Sequence, residues 1–294
     1  MKVVGIGGGH GLAVTLAAAR TFAEDVAAVV TVADDGGSSG RLTRELGIPP
    51  PGDIRNCLVA LAREKELAEL YQHRFKSGAL TGHTAGNLLI AALTEMRGDF
   101  AAAVAEAGEL LRCDGRVYPA TTDLVELGAQ IEGGRLRGQV AVMHTRERIQ
   151  AVFLTPRNPV AHPSAVDAIL DADLVVLGPG SLFTSLIATL LVPGVCSALQ
   201  ETSGRRVFVC NTRMQKGETE GLGAAAHVEA LIAHAGAFAA DVVLVQSPEV
   251  EPDGVAVDYD ALGFSGIEVV TVDVADSTGA HDPARLAEVL AGLT

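Results

Sequence analysis

An apolar run that ends in a glycine-rich polar cluster recurs along this chain. Lys2–Gly7 runs into GGGHGL, and VAAVVTVA (Val26–Ala33) runs into DDGGSSGRL. DLVVL (Asp173–Leu177) runs into GPGSLFTS, and RVFVC (Arg206–Cys210) into NTRMQKGET. Short apolar runs bounded by turn signals read as buried strands, and helical periodicity after the turn makes each a βα unit. The pattern predicts an α/β chain with a Rossmann-like, doubly wound, mostly parallel sheet. In such a sheet ligands bind outside the carboxyl ends of the strands. The four clusters are therefore expected to line one crevice.

The periodicity predicts helices over Leu12–Arg20, Pro163–Ala172, Ala224–Ala235 and Asp282–Leu293, the last with an Asp N-cap, and a helix opening at Ser181. Further strands are expected at Asp241–Gln246 and Ile267–Val272. From about residue 53 to 111 the pattern is helical throughout: Ile54–Arg63, Leu67–Phe75, Gly86–Met96 and Phe100–Leu111. This stretch reads as a helical insertion or cap after the second strand, within one domain spanning 1–294. Leu124–Ile131, Arg137–Val142 and Ile149–Leu154 have β character.

Composition narrows the function classes. The chain has 294 residues, 48% of them hydrophobic and none Trp, so Val, Leu, Ile and Ala must build the core. A formal net charge of −14 repels nucleic acid and anionic membrane, and neither is an expected partner. The four cysteines are scattered without a CxxC, which suits reduced packing and a cytoplasmic location. MKVVGIGGGHGL is too interrupted by glycine for a signal peptide, and no window predicts membrane insertion.

The clusters carry the candidate chemistry. Gly8, Gly9, His10, Gly11 and Leu12 open a helix, where backbone N–H groups attract phosphate. They match neither a strict GxGxxG nor a Walker A loop. Asp34 stands where a dinucleotide fold holds a ribose, and Asp35 is a candidate Mg²⁺ ligand beside phosphates. Gly37, Ser38 and Ser39 can cradle an anion that Arg41 pairs. Asp53 suits an N-cap, a ligand contact or Mg²⁺. Arg55 is a cation in a first helical turn, which the helix dipole disfavours; it needs an anionic partner, either a carboxylate or a ligand phosphate. Asn56 adjoins it. His83 is either structural or a ligand contact, and Asn87 on an apolar helix needs a partner. Gly180, Ser181 and Thr184 form a second helix start suited to an anion. Asn211 and Gln215 can read a base or sugar, with Lys216 beside them. No GxSxG or Cys–His spacing marks a nucleophile.

In order and spacing, VVTVADDGGSSGRL, PPGDIRNCLVAL, GHTAGNLLIAAL, GRVYPAT, VVLGPGSLFTSLI and NTRMQKGETEG resemble the gluconeogenesis factor family, also called YvcK or CofD-like. The resemblance covers nearly the whole chain. It implies a Rossmann-like core with one crevice binding UDP-N-acetylglucosamine or UDP-glucose. It also implies a regulator that links growth on gluconeogenic carbon to wall synthesis and cell shape. The sister CofD branch implies the alternative, a Mg²⁺-dependent transfer of a phospholactyl group from a guanine nucleotide to a deazaflavin. His10, Ala188-Thr189 and Ala280 depart from the family pattern. The expected partners are the nucleotide sugar and a regulatory protein that the sequence does not identify, with a homodimer allowed for. A nicotinamide dehydrogenase fits less well, because the glycine pattern is imperfect and no hydride-transfer acid stands out.

Overall fold

Sheet order decides where a ligand can sit. In the computed structural model, which describes residues 1–237, 239–263 and 266–293, ten strands form two sheets. They are β1 (Lys2–Gly7), β2 (Asp25–Val30), β3 (Arg116–Pro119), β4 (Glu126–Ile131), β5 (Gly134–Arg137), β6 (Ile149–Thr155), β7 (Leu174–Leu177), β8 (Arg205–Val209), β9 (Val242–Gln246) and β10 (Glu268–Val272). The larger sheet has the order β10-β9-β8-β7-β1-β2-β3, and all its pairings are parallel. Strand order reverses between β1 and β7. That is the switch point at which a doubly wound sheet opens a crevice.

Alternation along the buried strands covers both faces with helices. Val4, Ile6, Val175, Leu177, Val243 and Val245 point into one core with Leu186, Ile187, Val195 and Leu231. Val3, Leu174, Val176, Val207, Val209 and Leu244 point into the other. There they meet Leu12 and Leu16 of α1 (Gly9–Ala19) and the carboxyl-terminal helix Pro283–Gly292 through Leu286 and Leu290. Asp282 caps that helix through the Ala284 and Arg285 amides.

The segment between β2 and β3 is helical: α2 (Gly37–Leu46), which the sequence did not predict, and then, as the periodicity from about 53 to 111 predicts, α3 (Gly52–Leu61), α4 (Lys65–Gln72), α5 (Ala85–Arg97) and α6 (Phe100–Leu110). It is more than a cap. Leu58 and Leu61 of α3 and Ala103, Val104 and Ala107 of α6 are buried in the same core as Val26, Ala28 and Val30 of β2. α3 and α6 are therefore crossover layers against the sheet.

Three local expectations change. DDGGSSGRL, read only as a glycine-rich polar cluster, contains the start of helix α2. Arg137–Val142 is not a strand: β5 ends at Arg137, Gly138 turns the chain at φ +91, and Gln139–Met143 is a short helix. β5, β4 and β6 form a separate antiparallel sheet, order β5-β4-β6. Past Gly180 the chain makes a π-helical turn, Leu182–Ile187, continuing to Leu190. Among the described residues no single helix is long and apolar enough to cross a membrane.

Candidate functional site

The loops after β1, β2 and β7 meet at the switch point and surround a cleft of about 540 Å³. β1 ends at Gly7. Gly8 is extended and is the N-cap of α1, Gly9 takes φ +61, and no side chain caps the helix. β2 leads to Asp34, whose Oδ1 accepts from the Gly36 amide at 2.9 Å. Gly36 is the N-cap of α2, again without a side-chain cap. Two helix starts thus face one cavity, and such starts favour negative charge; Asp53 takes the Gly9 amide and Asp34 the Gly36 amide.

Arg55 is the buried cation of the cleft. It is 5% exposed. Its Nη1 donates to Thr84 Oγ1 at 2.5 Å and Asn87 Oδ1 at 3.0 Å, and Nη2 donates to Asn56 Oδ1 at 2.7 Å. All three acceptors are neutral. Among the described residues Arg55 forms no ion pair, and its buried Nε has no hydrogen-bond partner. Burial and the nearby Arg74 guanidinium lower its pKa, against the pull of the nearby Asp53 and Asp34 charges. The sequence demanded an anionic partner; the fold supplies no bonded carboxylate.

Two acids share the cavity. Burial raises the Asp34 carboxyl, while the Gly36 amide and Ser39 pull it back. Asp53, in the first turn of α3, is pushed up to about 7 by burial and by the Asp34 charge, against the pull of the Gly9 amide. This pair suits a cation bound together with phosphates. Asp35 does not join it. Its Oδ1 accepts from the Val140 amide at 2.9 Å and so caps the Gln139–Met143 helix. Among the described residues no three His, Cys, Asp or Glu side chains gather as metal ligands.

The remaining candidates separate by position. Gly8, Gly9, His10, Gly11, Asp34, Gly37, Ser38, Ser39, Asp53, Arg55, Asn56, Asn87, Gly180, Ser181, Thr184 and Gln215 all line the cleft. Leu12 is fully buried on the β1 side of α1 and packs in the core. His83 lies behind the wall, its Nδ1 3.0 Å from Ser38 Oγ, and Asn87 Nδ2 donates to the same hydroxyl at 3.1 Å. Asn211 accepts from the Gly180 amide at 3.1 Å and lines an adjoining hollow of about 280 Å³. Gly11, Gly180 and Gln215 border both cavities. Asn211 Nδ2 and Gln215 Oε1 are buried with no partner among the described residues. Lys216 is exposed in a separate outer hollow beside His144.

Over residues 3–284 the chain matches the family described as 2-phospho-L-lactate transferase CofD. It belongs to the CofD family. Within that family it is 42% identical to the Gluconeogenesis factor of Bacillus subtilis (strain 168), across 99% of this chain and 98% of that protein. It is 45% identical to the Gluconeogenesis factor of Halalkalibacterium halodurans, across 83% of this chain and 77% of that one. The crystal structure of a upf0052 family member from Bacillus halodurans matches with a TM-score of 0.95 at 39% identity, covering 98% of each chain.

In this CofD-family chain the far wall of the cleft comes from residues the sequence did not mark. Gln139, Val140, Met143 and His144 reach it from the helix after β5, and Arg74 reaches it from beyond α4. Long-range packing brings them in, and no local motif announces them. Glu218 was also missed, although it lies inside NTRMQKGET. It is buried against the loop after β7 and occupies the helix start there.

Proposed function

We propose that this chain binds a nucleotide diphosphate sugar in the switch-point cleft and acts as a regulator of the gluconeogenesis factor type. Arg55 carries the reading. A guanidinium so buried, bonded only to neutral groups and set beside two helix starts, is satisfied by a ligand bearing phosphate. The cleft, at about 540 Å³, falls in the size range of small-ligand sites, about 300–1,000 Å³, and the adjoining hollow extends it. Asn211 Nδ2 and Gln215 Oε1 offer a ligand one donor and one acceptor. Relatives named gluconeogenesis factor support a role of that type. UDP-N-acetylglucosamine and UDP-glucose are the ligands proposed. Their occupancy, read by a partner protein, would tie carbon supply to wall synthesis and cell shape.

A second reading rests on the Asp34–Asp53 pair. Two carboxylates beside a phosphate site fit one Mg²⁺, which supplies charge neutralisation for phosphoester transfer when bound. Asp34 and Asp53 would hold it, whereas Asp35 is engaged with Val140. Among the described residues that line the cleft, no Cys or Lys stands ready as a nucleophile.

Thermal unfolding with UDP-N-acetylglucosamine, UDP-glucose, GTP and NAD, each with and without Mg²⁺, separates the readings. Ligand at a hundred times its Kd stabilises by about 2.7 kcal/mol if it binds only the folded state. The regulator reading expects a response to UDP-sugars without turnover. A Mg²⁺-dependent GTP response with product formation selects the transferase.

A further inference from the structure

The helix that follows β7, Leu182–Leu190, starts with an occupant already in place. Glu218 is 4% exposed. Its Oε1 accepts from the Phe183 amide at 2.7 Å and the Thr184 amide at 2.9 Å, and its Oε2 accepts from the Thr184 hydroxyl at 3.0 Å. Those amides are the donors a ligand phosphate would use at such a helix start. A buried carboxylate is tolerated only with bonds of this kind. The loop that carries it is fixed. The Gln215 amide donates to Thr219 Oγ1 at 2.8 Å, and Gln215 Nε2 donates to Ser181 Oγ at 3.1 Å. Gly217 lies so close to the 143–145 backbone that a Cβ would sit 2.6 Å from the Met143 carbonyl oxygen.

The two halves of the cleft therefore differ. On the β1–β2 side, Asp53 bonds the Gly9 amide and Asp34 the Gly36 amide, and the buried Arg55 cation, with no carboxylate bonded to it, stands beside them. On the β7 side, the positive helix start is already neutralised; Ser181, Thr184 and Ser185 line the cavity, with the Thr184 hydroxyl bonded to Glu218 and Ser181 Oγ to Gln215. Thr184 touches both Glu218 and the cleft, so the carboxylate is one side chain away from a bound ligand.

We infer that Glu218 is an internal anion that sets the direction of the ligand and selects an uncharged glycosyl group. It closes the β7-side helix start to phosphate, leaves the diphosphate to Arg55, His10–Gly11 and Gly37–Ser39, and leaves the side lined by Ser181, Thr184 and Ser185 for a neutral hexosyl end. The direction of the ligand rests on the nucleotide-sugar reading; the occupancy of the helix start by Glu218 does not.

Two measurements on the full chain test it. The first follows thermal unfolding of the native protein, Glu218→Ala and Glu218→Gln with added sodium formate, using sodium chloride as the ionic-strength control. Formate should raise the melting temperature of Glu218→Ala more than that of either other form, because only Ala leaves the anion position open. Equal shifts in all three overturn the internal anion. The second compares UDP-glucose with UDP-glucuronate, which differ by one carboxylate, by calorimetry. The native chain should prefer UDP-glucose by about tenfold, since like charges brought close disfavour binding. Glu218→Gln should bring the ratio toward one. A ratio that Glu218→Gln leaves unchanged overturns the selection role. If the native chain binds neither ligand, the nucleotide-sugar reading fails and the directing role falls with it. The formate result then decides the internal anion alone.

Discussion

Arg55 shows how one residue carries a functional argument across levels. In sequence it is a cation at the wrong end of a helix. In the fold its planar fork meets three neutral oxygens, and its Nε meets nothing among the described residues. Arg55→Met should weaken nucleotide-sugar binding by about 2 kcal/mol or more, some thirtyfold in Kd, as expected for removing one partner of a buried charged pair. Equilibrium dialysis checks this, and an unchanged Kd removes Arg55 from the site. Asp53 yields a prediction about pH. Its carboxyl is raised from 3.8 to about 7. Between those values the folded chain keeps a proton that the unfolded chain releases. The contribution to stability is therefore full below about pH 4 and is lost as pH rises through about 7. Asp53→Asn keeps the neutral form, so its gain in melting temperature over the native chain should widen from pH 5 to pH 8. A gap that stays constant contradicts this account. Some residue roles were legible from type and position, as with Asp282 at its N-cap. Asp35 was not: its partner, the Val140 amide, lies 105 positions away in the chain.

Elements hold the cleft open at fixed spacings. Gly11 sits against the turn after β7, where a Cβ would fall 2.3 Å from the Pro179 carbonyl oxygen. The neighbour is backbone and cannot swing aside. Gly11→Ala should cost about 1–3 kcal/mol through overpacking, measurable as a lower urea midpoint. Asp35 ties the second wall by capping the Gln139–Met143 helix from outside. Asp35→Ala should speed amide exchange across 139–143 and weaken ligand binding, with a loss near the ~1 kcal/mol of a missing cap. Asp35→Asn retains the acceptor and should recover most of it. Elements with a full apolar period were readable. Ala224–Ala235 was located to the residue, and DLVVL contains the buried strand Leu174–Leu177. The failures have physical causes. Arg137–Val142 looked β-like because Val140 and Val142 alternate, but Gly138 takes a positive φ and the distant Asp35 carboxylate caps the helix that starts at Gln139. β3 is a four-residue strand, RVYP, at the sheet edge, too short and polar to stand out.

At the scale of the molecule, the order of strands makes the site. Reversal between β1 and β7 brings together loops that are some 170 residues apart, and Thr15 Oγ1 donating to the Gly178 carbonyl at 2.6 Å helps hold the two halves in register. The repeated strand–glycine–helix grammar made this convergence legible, because parallel strands put every such loop at the same end of the sheet. The wall from the small antiparallel sheet was not legible. Its docking depends on tertiary contacts such as Gly217 against the Met143 carbonyl, which leave no periodic trace. The most direct test is a crystal structure of the chain grown with UDP-N-acetylglucosamine. The diphosphate should lie within hydrogen-bond reach of the Arg55 guanidinium and the His10–Gly11 amides. Density for the nucleotide elsewhere on the chain, or none at millimolar ligand, contradicts the account.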